Sequence, residues 1–340
     1  MDYEKLKNMV FRLCTADGTP GGEDDARLAA RCEFPPDAPA AADALGNLAV
    51  SMGAQNSPVH ILLEAHLDQI GLIVTGVDEK GFLHVDRCGG IDRRVLPGTA
   101  VTVFGKEKLC GVVCCMPPHL TGSGADKVPE TAKMAVDIGC PVETARLLVH
   151  PGDRIVFRTE PKELLGSRIS APGLDDRSGV AVLARCAQLL TGQKLHCRVT
   201  FLCSTREETG GTGSRTGAYL AGPTEAVAVD VGFASQPGVR PEQCGKLGGG
   251  PMIGFAPILS RPMSENLVSL AEKLKMPYHR DIMGGDTGTD SDEIAATKAG
   301  VPTALISIPE RNMHTPAEIV DLADVENCAR LLAAFVGEAE

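Results

Sequence analysis

The stretch with the clearest capacity for chemistry is Ser204-Thr205-Arg206-Glu207-Glu208. It follows the apolar, β-branched run Arg198-Val199-Thr200-Phe201-Leu202-Cys203, which reads as a buried strand. Two adjacent carboxylates at a strand end repel each other and lose hydration, so something positive should compensate them. Arg206 is one candidate and a metal cluster is the other. One acid of the pair could ligate a metal while its neighbour shuttles a proton; the plain alternative is a solvated acidic loop. Four further positions place a titratable group beside an apolar run. His66 and Asp68 close Val59–Ala65, where the histidine could ligate a metal and Asp68 could accept from its other ring nitrogen; a structural His–Asp pair has the same pattern. Gly173-Leu174-Asp175-Asp176-Arg177-Ser178-Gly179 precedes a helix, with Asp176 as its N-cap and Asp175 free to point into a cleft. Asp230 ends Val227-Ala228-Val229, where an acid can also be a mere turn initiator. Finally, Ile306-Ser307-Ile308 breaks at Pro309 and presents His314 from a constrained loop, a place where a histidine can equally be structural.

Taken singly these motifs are ordinary. Taken together, two histidines, one glutamate and two aspartates make five N/O ligands without a thiolate. Shared through one bridging carboxylate, they give each of two metals three protein ligands and leave room for a water, the open arrangement of catalytic zinc. Two ions roughly 3.5–4 Å apart acidify a shared water and clamp a tetrahedral oxyanion.

The elements that must position these groups alternate along the chain. Helical spacing covers Met1 to Cys14 and Glu23 to Cys32, and a Pro/Ala-rich connector runs from Phe34 to Ala44. Gly46–Val50 and Val59–Ala65 read as strands, the second apolar enough to be central. From about Gly71 to Leu164 short β-type runs alternate with Gly/Pro/Asp turns, the texture of a small β-barrel or sandwich, and Cys114-Cys115 is expected on one of its buried strands. Helix, strand, loop and strand then resume, with Gly210 to Gly217 expected as a turn-rich loop. The segment Gly-Gly-Thr-Gly-Ser-Arg-Thr-Gly lacks the Gly-Lys-Ser/Thr ending of a phosphate loop. The organisation expected is an α/β domain from residues 1–70 plus 165–340, interrupted by a β domain over 71–164.

The composition of the 340-residue chain supports this and narrows the function. Its hydrophobic content of 43% and charged content of 23% suit a globular protein. A net charge of −11 without a basic block argues against nucleic acid or an anionic membrane as partner. No signal-like or membrane-spanning run is apparent, so a cytoplasmic protein with free thiols among its 12 cysteines is expected.

As a set, these residues resemble the dinuclear-metal aminopeptidases that include glutamyl aminopeptidase, deblocking aminopeptidase and the tetrahedral TET particles, some of which have been labelled endoglucanase or cellulase. The similarity runs over most of the chain: Gly46-Asn47-Leu48, His66-Leu67-Asp68-Gln69-Ile70-Gly71, Pro117-Pro118-His119-Leu120, Asp137-Ile138-Gly139, Asp175-Asp176-Arg177, Glu207-Glu208, Asp230-Val231, Gly248-Gly249-Gly250-Pro251, Gly288-Thr289-Asp290 and Pro309 to Pro316. It implies a phosphorylase/hydrolase-like mixed-sheet catalytic domain with an inserted small β-barrel that mediates homo-oligomerisation, often into a dodecamer. It implies that His66 and Asp230 hold one divalent metal and Glu208 and His314 the other, with Asp175 bridging; zinc is expected, with cobalt or manganese as alternatives. Glu207 would be the base that activates a bridging water, and Asp68 would orient His66. Gln69, the Thr209–Gly217 loop, Asn312 and Ser235-Gln236 depart from the family's usual residues, which bears on side-chain preference because such loops would line the specificity pocket.

The function expected is removal of N-terminal residues from peptides. The alternatives are deacylation of N-acyl amino acids or peptides on the same site, a glycosidase using Glu207 and Glu208, and a non-enzymatic scaffold with a relic site. Adjacent carboxylates do not readily straddle a glycosidic bond, which needs about 5–9.5 Å between them.

Overall fold

The computed structural model describes residues 3–120 and 128–339. Its centre is an eight-stranded mixed sheet in the order Ala40–Ala42, Leu48–Gly53, Arg198–Ser204, His60–His66, Glu225–Phe233, Thr303–Glu310, Met252–Phe255 and His279–Ile282. The four middle strands run parallel, and both His60–His66 and Thr303–Glu310 are buried along their whole length. The period of two sorts their side chains between two cores. Ile61, Leu63, Phe201, Val227 and Ile306 face the layer containing the Leu174–Leu190 and Leu322–Gly337 helices. Leu62, Leu202, Ala228 and Leu305 face the layer containing Thr212–Ala221 and Asp290–Ala295. Parallel register sets Ser204 opposite His66 and Asp230 opposite Ser307, so the C-terminal ends of these strands arrive at one edge.

The second body is a closed barrel of six antiparallel-paired strands: Gly71–Val77, Leu83–Cys88, Ala135–Asp137, Lys108–Val113, Ala100–Phe104 and Arg154–Phe157. It has its own core, with Leu72, Val74, Val85, Val101, Val103 and Ile155 inside. Its first strand begins five residues after His66, so it grows directly from the end of the main sheet's central strand. Among the described residues, no helix is long and apolar enough to cross a membrane.

Several elements differ from the sequence expectation. Gly210 to Gly217 is not a loop: two left-handed glycines, Gly210 and Gly211, reverse the chain, and the Thr212–Ala221 helix starts at once. A Cβ on Gly213 would lie 2.1 Å from the Thr205 carbonyl, so close packing against the strand end overrides glycine's poor helix propensity. The strand expected to break at Pro309 continues to Glu310. The Glu310 carbonyl accepts from Ala234, so Pro309 turns its missing donor to the opposite side, where pairing has already ended at Ser307. Cys114 and Cys115 are exposed, because the strand begins at Lys108 and ends at Val113. The Pro/Ala-rich connector contributes the edge strand Ala40–Ala42.

Candidate active site

Asp230, expected where its strand ends, lies inside Glu225–Phe233, because pairing with Thr303–Glu310 continues three residues past it. The other candidate ligands lie where the chain leaves regular strand or enters a helix. After His66, Leu67 donates to the Ser204 carbonyl at 2.7 Å, tying the two strand ends together. Asp68 is fully buried, and its carboxylate accepts from the Glu207 and Glu208 amides at 3.0 and 3.1 Å. These bonds fix a single tight turn, Glu207–Thr209, entered through Arg206 in the left-handed region. Arg206 forms no ion pair with either glutamate among the described residues, so it does not compensate them. Asp68 reaches His66 through its main-chain oxygen, 3.0 Å from Nδ1; its carboxylate stands 3.6 Å away because it is engaged by the two amides.

Asp175 lies between the two histidines. Its Oδ1 is 3.1 Å from His66 Nε2 and its Oδ2 is 3.3 Å from His314 Nε2. The backbone at Asp175 and Asp176 is non-helical, the peptide between them is cis, and regular helix follows. Asp176 caps that helix, accepting from Gly179 at 3.0 Å, and its other oxygen accepts from the His66 amide at 3.3 Å. His66, Asp175 and Asp230 offer ligand atoms within 4.8 Å of one another, and so do Asp175, Glu208 and His314. The geometry is thus two three-residue clusters sharing one carboxylate. Glu207 sits beside the first, with Oε2 4.0 Å from His66 Nε2, and Glu208 lies in the second, with Oε1 3.6 Å from His314 Nε2.

Sequence reasoning missed the groups that hold this pair of clusters in place. His314 has φ +61°; its amide donates to Glu318, and its Nδ1 lies 2.7 Å from the Gly90 carbonyl on the barrel. Glu318 also accepts from the Asp175 amide at 3.3 Å, so one buried carboxylate anchors both loops. A Cβ on Gly90 would lie 2.7 Å from His314 Nδ1, and one on Gly89 2.8 Å from Glu208 Oε2. The adjacent glycines at 89–90 were the available signal, but their partners are more than a hundred residues away. Behind the strand ends, Ser204 hydrogen-bonds both Glu64 and Asp290 at 2.7 Å, and Ser214 donates to Asp290 at 2.6 Å.

The electrostatics call for cations. Burial pushes the Glu207 pKa up to about 8 and that of Glu208 to about 7, while burial and neighbouring Asp176 raise Asp230 well above the usual range. Burial would also raise Asp175, but its hydrogen bonds to His314 and His66 outweigh that and hold it well below the usual carboxylate range. The same bond outweighs burial at His314 and lifts it to about 9. Among the described residues, no lysine or arginine pairs with Asp175, Asp176, Glu207, Glu208, Asp230, Glu310 or Glu318. Glu310 is buried and neither of its oxygens finds a hydrogen-bond partner. A set of imidazole and carboxylate donors with this surplus of buried acid fits divalent metal. The clusters form the floor of an open cavity of about 650 Å³, to which Asp175, Glu207, Glu208, Asp230 and His314 all contribute.

Comparison with known proteins finds relatives over most of the chain. The profile of the M42 glutamyl aminopeptidases matches residues 46–331. The chain is 29% identical over 301 residues to a lysyl aminopeptidase of Pyrococcus furiosus, covering 87% of this chain and 86% of that protein. It is 26% identical to a glutamyl aminopeptidase of Lactococcus lactis, covering 86% and 85%. Among solved structures, an aminopeptidase from the archaeon Desulfurococcus kamchatkensis superposes with a TM-score of 0.91 at 33% identity, covering all of this chain and 96% of that one. The TET1 peptidase of Pyrococcus horikoshii, described as able to assemble into a tetrahedron or a large octahedral shell, superposes with a TM-score of 0.88 at 32% identity, covering 98% of this chain and all of that one.

Proposed function

Since the chain belongs to the M42 glutamyl aminopeptidase family, we propose that it removes N-terminal residues from peptides at the end of its central sheet, with Glu207 as general base. The observation that carries this reading is the pair of clusters sharing Asp175. His66, Asp230, Glu208, His314 and Asp175 are the residues that would hold two divalent ions, with Asp175 common to both groups; zinc, cobalt and manganese suit these donors. When bound, the ions supply Lewis-acid polarisation of the scissile carbonyl and a lowered pKa for the attacking water.

The chain's own residues do the rest. Glu207 lines the cavity beside the first cluster but belongs to neither cluster, so its lone pairs remain available. It takes the proton from the attacking water and delivers it to the leaving amine. Asp68 holds the Glu207–Glu208 turn through two amides and steadies His66 through its carbonyl. Glu207 and Glu208 lean toward different clusters, an arrangement that suits division of labour between base and ligand. The barrel, whose surface leaves Val112, Met116, Leu120 and Leu147 exposed, mediates assembly into a homo-oligomer up to a dodecamer.

The test is a panel of aminoacyl anilides, with N-acetylated counterparts, assayed before chelation, after it and after metal add-back. Hydrolysis of free-amine substrates alone, lost on chelation and restored by zinc, cobalt or manganese, is expected. Preference for the N-acetyl compounds would replace this reading with a deacylase, and chelator-insensitive cleavage of a sugar polymer with a glycosidase.

A further inference from the structure

The printed specificities of the relatives, lysyl and glutamyl, are opposite in charge, so similarity does not choose between them. The far wall of the cavity does. Beyond the two clusters and Glu207 its charged lining consists of Asp281 and Asp286, and no lysine or arginine lines it. Asp281, at the end of the edge strand His279–Ile282, forms no ion pair and accepts no hydrogen bond among the described residues. Burial pushes its pKa up, with only His279 on the same strand opposing: it is a carboxyl group in want of a cation. Asp286 follows in an exposed loop.

The second, independent observation is apolar. Ile282 and Phe233 are 71% and 52% exposed, and both line this cavity with Met283 and Leu305. Exposed large hydrophobics gathered at a cavity mark a surface that something covers. A side chain with an aliphatic stem and a cationic tip satisfies both features, since lysine and arginine lay their methylenes on apolar surface while the charge reaches polar groups. A carboxylate side chain would meet Asp281 and Asp286 without a compensating cation.

We propose that this cavity selects peptides whose first residue is lysine or arginine, with Ile282 and Phe233 covering the stem and Asp281, assisted by Asp286, receiving the cation. The proposal rests on the aminopeptidase reading above. Norleucine shares lysine's aliphatic stem and lacks the ammonium group, so it separates the two contributions.

The experiment compares kcat/KM of the metal-restored enzyme on lysyl, arginyl, norleucyl and glutamyl anilides, for the native chain, Asp281→Asn and Asp286→Asn. Lysine and arginine should exceed norleucine, and glutamate should be poorest. Asp281→Asn should lower the lysine-to-norleucine ratio about two- to fivefold and Asp286→Asn by less, the size of one partly exposed charge pair. The native ratio should shrink toward one as salt rises. A native ratio near one, a glutamate preference, or a ratio untouched by both substitutions overturns the proposal while leaving the aminopeptidase reading in place. Absence of hydrolysis on every anilide defeats both. Should Asp281→Asn misfold, Asp286→Asn on the exposed loop and the salt series still decide.

Discussion

The main sheet and the barrel bury their side chains in different ways, and the site lies where they meet. In the sheet, His60–His66 and Thr303–Glu310 are enclosed on both faces, so their polar residues are buried with them and need partners, as Glu64 finds in Ser204. In the barrel, strands such as Leu83–Cys88 alternate inward and outward, so charge disperses over a wet surface. Every candidate ligand comes from the first region: His66, Asp175, Glu208, Asp230 and His314. The barrel supplies two glycines and a carbonyl, positioning the second cluster without a reactive group. Enclosure thus concentrates charge where ions can use it, and the exposed body contributes shape.

This contrast can be attacked at both ends. The largest effect is expected at Glu207, where Glu207→Gln should retain metal yet lose about 10²–10⁴-fold in kcat. Near-native turnover would remove the general base from the account. Next comes the barrel's contribution. Gly90→Ala places a methyl against His314, and misplacing a catalytic group by about 1 Å can cost roughly a hundredfold. Gly76→Ala, where an added Cβ meets nothing within 4 Å and φ is not positive, should leave kcat within about twofold of native, because the barrel strand contributes nothing to the cavity. Equal effects of the two substitutions would mean that the barrel acts through its stability alone.

Stability offers a smaller test. Leu63→Ala removes a fully buried side chain of the central strand and should cost about 2–5 kcal/mol by urea denaturation. The gentlest effect is one of pH. His60 begins the same strand, its Nε2 lies 2.9 Å from Thr200, and burial lowers its pKa from 6.5 to about 4. The unfolded chain therefore binds a proton there that the folded chain refuses between those values. Stability at this site should be complete above pH 6.5 and decline as pH falls toward 4. His60→Gln should flatten that part of the urea-midpoint profile; an identical profile would show that His60 titrates alike in both states.

How much of this was legible in the sequence follows the same division. The ligand candidates stood out because each interrupts or follows an apolar run, although Asp230 does so inside its strand, which continues to Phe233. The barrel showed as short β-runs between turns, although its three-residue strand Ala135–Asp137 was too short to register. What stayed hidden is what depends on distance along the chain. Nothing local at Gly90 points to a histidine 224 residues later. Nothing at Asp68 shows that two backbone amides will claim its carboxylate before His66 can, and Glu318 gives no local sign that it anchors two loops. The Gly210–Gly217 segment misled because glycine's turn preference is local, whereas the need for a bare Cα against Thr205 is tertiary.

The most direct measurement is a count of metal. Purified chain loaded with zinc, dialysed and assayed by elemental analysis should carry two ions, and Asp175→Ala, which removes the one residue common to both clusters, should carry fewer than one. A native chain that holds one ion or none, and cleaves its substrate as well after chelation as before, would contradict the account at its root.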